Sequence, residues 1–167
     1  MDSPPAAITD ANVWIDLHRG GVLEEAFQLD LAFKTPDLIA HELLSPSLPL
    51  LKRLGLLVVE LPGPRVLEIV EMAAKYHRPS RPDLSALVLA RWEGAILLTG
   101  DKALRAAADE EGIEGHGVLW LLDRMVDRRV LSGSKATAAL RRMLKDGSRL
   151  PPSDCDRYIE AWRTFKP

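Results

Sequence analysis

The stretch Asp83–Trp92, DLSALVLARW, is apolar on nearly every face. A surface helix shows one apolar stripe and one polar face, so a helix with no polar face has to sit among other elements. Just beyond it, AILLTGDKALR carries four apolar residues into Thr99-Gly100-Asp101. That reads as a buried strand that leaves the core on a carboxylate. A central helix followed by a buried strand points to a layered domain in which strands and helices alternate.

The front of the chain repeats the pattern. A strand over 6–9, Ala6-Ala7-Ile8-Thr9, runs into Asp10 and Asn12, and a helix over about 11–18 puts Val13, Trp14 and Leu17 on one face until Gly20-Gly21 stops it. A short strand at 31–33 precedes Thr35-Pro36, and Asp37 starts a helix expected to run to about Leu44 and to carry Glu42. Residues 56–61 suit another strand. Residues 65–77 suit an amphipathic helix with Val66, Val70, Ala73, Ala74 and His77 on its buried stripe. After the strand at 95–99 come a helix at 101–111, a weak strand at 113–116, and a helix built on Val118, Leu121, Leu122, Met125 and Val126. Helices at 134–146 and 154–165 follow. The expected fold is α/β, with a mainly parallel central sheet.

A chain of 167 residues with 47% hydrophobic content suits one sizeable core. Its 22 Lys+Arg against 24 Asp+Glu leave no global basic field, so nucleic-acid binding would have to use a local patch. The opening MDSPPAAITDANVW has neither a basic start nor a long apolar core, and no later run reaches the roughly 18 apolar residues of a membrane span. No membrane partner and a cytoplasmic location are expected. Cys155 stands alone and the four histidines lack ligand spacing, which leaves carboxylates as metal ligands.

Loops leaving the carboxyl ends of parallel strands gather on one rim, where ligands bind. Asp10 and Asp101 both leave strands there, Asp83 follows Pro82 in the first turn of the buried helix, and Glu42 sits on its own short helix. Four clustered carboxylates repel one another, and a hard divalent cation removes the conflict. Mg2+ or Mn2+ suits a site of Asp and Glu oxygens, and such an ion activates water and clamps phosphate oxygens for phosphodiester hydrolysis. Each acid also has a structural reading, since Asp83 and Asp101 are good residues for a helix start and Asp10 can simply end a strand.

ITDANVWIDL, TPDLIAHELL, RPDLSALVLA, AILLTGDKALR and GIEGHGVLWLLDRMV resemble, in this order, the signature segments of PIN-domain ribonucleases, VapC-like toxins among them. The resemblance spans residues 6–131 and is closest over 95–126. It implies a three-layer α/β/α domain over 1–131; residues 132–167 lie outside the resemblance and are expected to form a C-terminal helical extension packed on the same domain. It also implies metal-site roles for Asp10, Glu42, Asp83 and Asp101, with Asn12 and Thr99 as supporting polar groups. The activity it implies is endoribonuclease action on single-stranded RNA, in a homodimer with a small antitoxin partner. No further acid follows Asp101 within a turn, and Asp109 stands about two turns on, so one metal and two remain open.

Phosphates need cations near the acids. Arg81 precedes Asp83, and Lys102 and Arg105 lie three apart on the helix that starts at Asp101. An ordinary solvated helix face explains these charges equally well. In the final helix Tyr158, Ile159, Trp162 and Phe165 form an aromatic stripe that suits packing on the chain's own core or, alternatively, a dimer surface. Two rival functions stand beside the nuclease. One is a non-catalytic PIN-fold module that binds RNA or protein. The other is a doubly wound phosphatase with Asp10 as nucleophile, which would want a second acid where Asn12 stands.

Overall fold

Parallel strands buried on both faces need apolar side chains in both directions, and the central segments supply them. In the computed structural model, which describes residues 2–166, five strands form one sheet. They are β1 (Ala6–Thr9), β2 (Ala32–Pro36), β3 (Leu57–Val59), β4 (Ile96–Leu98) and β5 (Gly115–His116), in the order β3-β2-β1-β4-β5 with every pairing parallel. Along β1, Ala7 joins one core and Ile8 the other; along β4, Leu98 and Leu97 divide the same way. The sheet is therefore the middle layer of an α/β/α sandwich.

One outer layer holds α1 (Ala11–Gly20), α2 (Leu23–Ala26), α4 (Leu48–Leu54), α8 (Val118–Asp127), α9 (Gly133–Lys145) and α10 (Pro152–Thr164). Its centre is Trp14, stacked on Phe27 at 5.1 Å between ring centres with Phe33 edge-on at 5.4 Å. The other layer holds α3 (Asp37–Ala40), α5 (Gly63–Lys75), α6 (Arg81–Glu93) and α7 (Lys102–Glu110). α6 is the nearly all-apolar helix of the sequence, and every residue from Leu84 to Ala90 is buried. Its start is fixed by a capping box in which Ser80 and Asp83 each accept the other's backbone N–H.

Two sequence expectations need correction. The helix after Asp37 ends at Ala40, so Glu42 lies in the turn beyond it rather than on a helix. The chain there turns through residues 41–47 into the Ser47 cap of α4, so the helix does not run on to Leu44. α5 buries Ile69 and Met72, while Val66 and Val70 are 46% and 49% exposed and His77 lies past the helix end. Two stripes overlap on that helix, and the one that packs with α6 in the second core carries Ile69 and Met72; Arg91 of α6 pairs with Glu68 of α5 at 2.8 Å. The short helices α2 and α4 have no counterpart in the sequence reading.

Residues 132–166 form the end of the first layer. Arg142 of α9 donates twice to the carbonyl of Gly20, at 2.7 and 3.0 Å, and Trp162 Nε1 of α10 donates to Asp123 of α8 at 2.9 Å. Gly21 closes α1 at φ 68°, a left-handed conformation that glycine adopts without strain. At Gly133 the need is space: a β-carbon would run into the backbone carbonyl of Trp162, which no side-chain rotation can relieve. Gly133→Ala should cost about 1–3 kcal/mol and lower Tm, whereas Gly63→Ala, with open space around it, should leave Tm unchanged or slightly raised. Thermal unfolding followed by circular dichroism compares the two. Equal Tm values would mean that the α9–α10 approach is looser than the backbone contact implies.

Candidate active site

The strand order reverses between β1 and β4: the chain builds outward through β2 and β3 on one side, then returns to β4 and β5 on the other. Connections leave to opposite faces there, which opens a crevice at the carboxyl ends of the two strands. Asp10 leaves β1 and Asp101 follows β4 at this point.

Asp10 is 3% exposed and caps α1, with Oδ1 accepting the Val13 N–H at 3.0 Å and Oδ2 accepting the Thr99 hydroxyl. Burial lifts its pKa from the ordinary 3.8 to about 6, against the lowering effect of those two hydrogen bonds. The negative charges of Asp83 and Asp16 push it further up. Thr99, wholly buried, also accepts the Asp101 N–H at 3.1 Å, so one hydroxyl bridges the two acidic strand exits. Asp101 caps α7 by accepting the Leu104 N–H at 2.8 Å. Behind them, the Thr35 hydroxyl of β2 donates to the Thr9 carbonyl at 3.0 Å and fixes the end of β1.

Asp10, Asp83 and Asp101 thus belong to one neighbourhood, joined by mutual repulsion in the first pair and by Thr99 in the second. Glu42 is exposed in the turn after α3, on the strand-end rim, and makes no hydrogen bond or ion pair with the other three among the described residues. Asn12 is exposed on the first turn of α1. Arg81 and Lys102 are exposed, but Arg105 is committed: it donates to the Thr99 carbonyl at 2.6 Å, and its buried Nε has no partner. Asp16 of α1, which is not among the sequence candidates, lines a cavity of about 470 Å³ together with Asp101 and Asp109. Its carboxylate accepts from Ser148, which lies 132 residues away, and burial raises its pKa. No local sequence signal carries a partner so distant.

Among the described residues no three His, Cys, Asp or Glu side chains are close enough to form a metal cage. What the site offers is a buried carboxylate, Asp10, under the negative charge of Asp83, with Asp101 one hydroxyl bridge away. One or two carboxylates of this kind are what a hard divalent ion that keeps most of its water, such as Mg2+, would take.

With the fold and the site described, comparison with known proteins gives the class. A family model described as PIN domain matches residues 6–164, and the chain belongs to the PIN-domain family. The matched span runs through α9 to the last residue of α10. The crystal structure of PAE2754 from Pyrobaculum aerophilum is similar in fold, with a TM-score of 0.56 and 18% identity over 74% of this chain and 91% of that one. No curated protein matches the sequence. No helix among the described residues is long and apolar enough to cross a membrane.

Because the folded-state pKa of Asp10 lies above the unfolded value, its ionised form costs stability at neutral pH. That cost fades as pH falls through about 6 toward 3.8. Asparagine caps a helix equally well. Asp10→Asn should therefore raise stability at pH 7.5 by roughly 1–3 kcal/mol in the absence of metal, with the gain shrinking toward pH 5. Urea unfolding at both pH values is the check, and a gain independent of pH would refute the buried-charge account.

Proposed function

We propose that the chain is a divalent-metal-dependent endoribonuclease that hydrolyses phosphodiester bonds of single-stranded RNA. The observation that carries this reading is the buried Asp10, held by Thr99 and Val13 beside Asp83 and Asp101 at the point where the strand order reverses. A PIN-domain fold agrees with a nuclease.

In this reading Asp10, Asp83 and Asp101 hold Mg2+ or Mn2+, with Glu42 completing the set from the rim and Asn12 as a polar neighbour. The ion, when bound, supplies a water of lowered pKa and a clamp on a phosphate oxygen. The chain's own part is preorganisation. Thr99 and Val13 hold both Asp10 oxygens so that the carboxylate cannot rotate away, and the Ser80–Asp83 capping box does the same for the acid facing it. Arg105 anchors the Thr99 carbonyl, which keeps the β4 exit in place. Lys102 and Arg81, both exposed, are free to meet the RNA backbone.

Cleavage of a fluorescent single-stranded RNA in Mn2+ should fall by at least about 100-fold in Asp10→Asn and Asp101→Asn. It should fall less in Glu42→Gln, whose carboxylate is exposed. Equal rates in the wild type and both Asp variants would reject the assignment. The toxin expectation belongs to the same reading: expression should arrest growth with the wild type and not with Asp101→Asn, and co-expression of an antitoxin should restore growth.

A second reading, a non-catalytic PIN-fold module that binds RNA or protein, is favoured by the lack of a three-ligand cage among the described residues. Calorimetric titration with Mn2+ separates the two, because the nuclease reading requires a heat of binding that Asp10→Asn abolishes.

A further inference from the structure

The cavity beside Asp101 is only partly explained by the acids. One wall is made of strand ends and α7, and the other comes from the segment 149–158, which leads into α10. Its volume of about 470 Å³ lies within the range of small-ligand sites.

Three chemistries meet there. Arg149 and Lys102 have no hydrogen-bond or ion-pair partner among the described residues, and both line the cavity. Aromatic surface comes from His116, stacked on Trp120 at 4.3 Å between ring centres, and from Tyr158 of α10. Asp16, Asp109 and Asp154 supply acceptors, and Arg157, which donates to Asp154 at 3.1 Å, brings donors to the same wall. A cradle for a bare phosphate would hold cations without the acids. An apolar ligand would not need the charges. A nucleotide uses all three: a flat π-face, base-edge donors and acceptors, and an anionic link.

We propose that this cavity is a nucleotide subsite, in which one unpaired base of the RNA strand lies against His116 and Tyr158 while Arg149 and Lys102 meet the flanking phosphates. This rests on the reading of the chain as an RNA-cleaving enzyme and deepens it, because the cavity shares Asp101 with the proposed metal site. The base bound here belongs to a nucleotide close to the scissile phosphate. A paired base is stacked within its helix and cannot enter, so the subsite selects single strands. The C-terminal segment thereby gains a role beyond packing: it builds half of the substrate channel.

The test separates binding from cleavage. Fluorescence anisotropy in EDTA measures the affinity for a short mixed-sequence single-stranded RNA, with the same sequence as a duplex for comparison. Tyr158→Leu, which keeps the bulk and removes the π-face, should weaken single-strand binding about tenfold, while Tyr158→Phe should retain it. Arg149→Ala, at an exposed residue that the fold does not need, should weaken binding and lower the slope of log Kd against log salt by about one. Wild-type affinity in both Tyr158→Leu and Arg149→Ala, equal binding of duplex and single strand, or no RNA binding by the wild type would overturn the proposal. If the variants lose binding but no preparation cleaves RNA in Mn2+, the subsite stands and the nuclease reading falls. If the variants bind and cleave as the wild type does, the reverse holds.

Discussion

A carboxylate sealed from water at the end of the central strand is the constraint on which the rest of the structure turns. Burying a charge is costly unless hydrogen bonds or an opposite charge compensate it, and Asp10 receives only two hydrogen bonds while facing further negative charge from Asp83 and Asp16. A fold indifferent to this position would place Ser or Asn there, since either caps α1 without the penalty. The neighbourhood instead reinforces the acid. Thr99 links it to Asp101, Arg105 holds the Thr99 carbonyl, and Thr35 pins the strand below.

The two cores make that placement possible. β1 is paired on both sides, and α6, buried from Leu84 to Ala90, lies against it, so the end of β1 cannot drift. The capping box at the start of α6 then sets Asp83 on the same rim. On the opposite layer, α9 and α10 clamp α1 and α8 through Arg142 and Trp162. The segment between those two helices carries Ser148 to Asp16 and Arg149 to the cavity. Site and scaffold are thus joined by a small number of long-range polar contacts on an otherwise apolar frame.

How much of this was legible before the structure depended on whether the controlling interaction was local. The all-apolar α6, the strand exits at Asp10 and Asp101, and the parallel alternation follow from patterns within a dozen or so residues, and they hold. The face of α5 did not follow. Val66 and Val70 compete with Ile69 and Met72 for the core, and the decision rests with the apolar face of α6, which lies outside the α5 sequence. The end of α3 before Glu42 depends on the turn into α4, and the tie of Asp16 to Ser148 spans most of the chain. Arg105 looked like a free surface cation because its partner is a backbone carbonyl, which sequence does not display.

The chemistry follows from the electrostatics. A carboxylate whose pKa is lifted to about 6 by burial and by like charges is one that a divalent cation would return to the ionised form at neutral pH. The most direct test is to follow the Asp10 side-chain carboxyl carbon by NMR through a pH titration, first without metal and then with saturating Mg2+. The account predicts a pKa near 6 in the free protein and a clear fall when Mg2+ is added. An ordinary carboxylate value that Mg2+ leaves unmoved would contradict it.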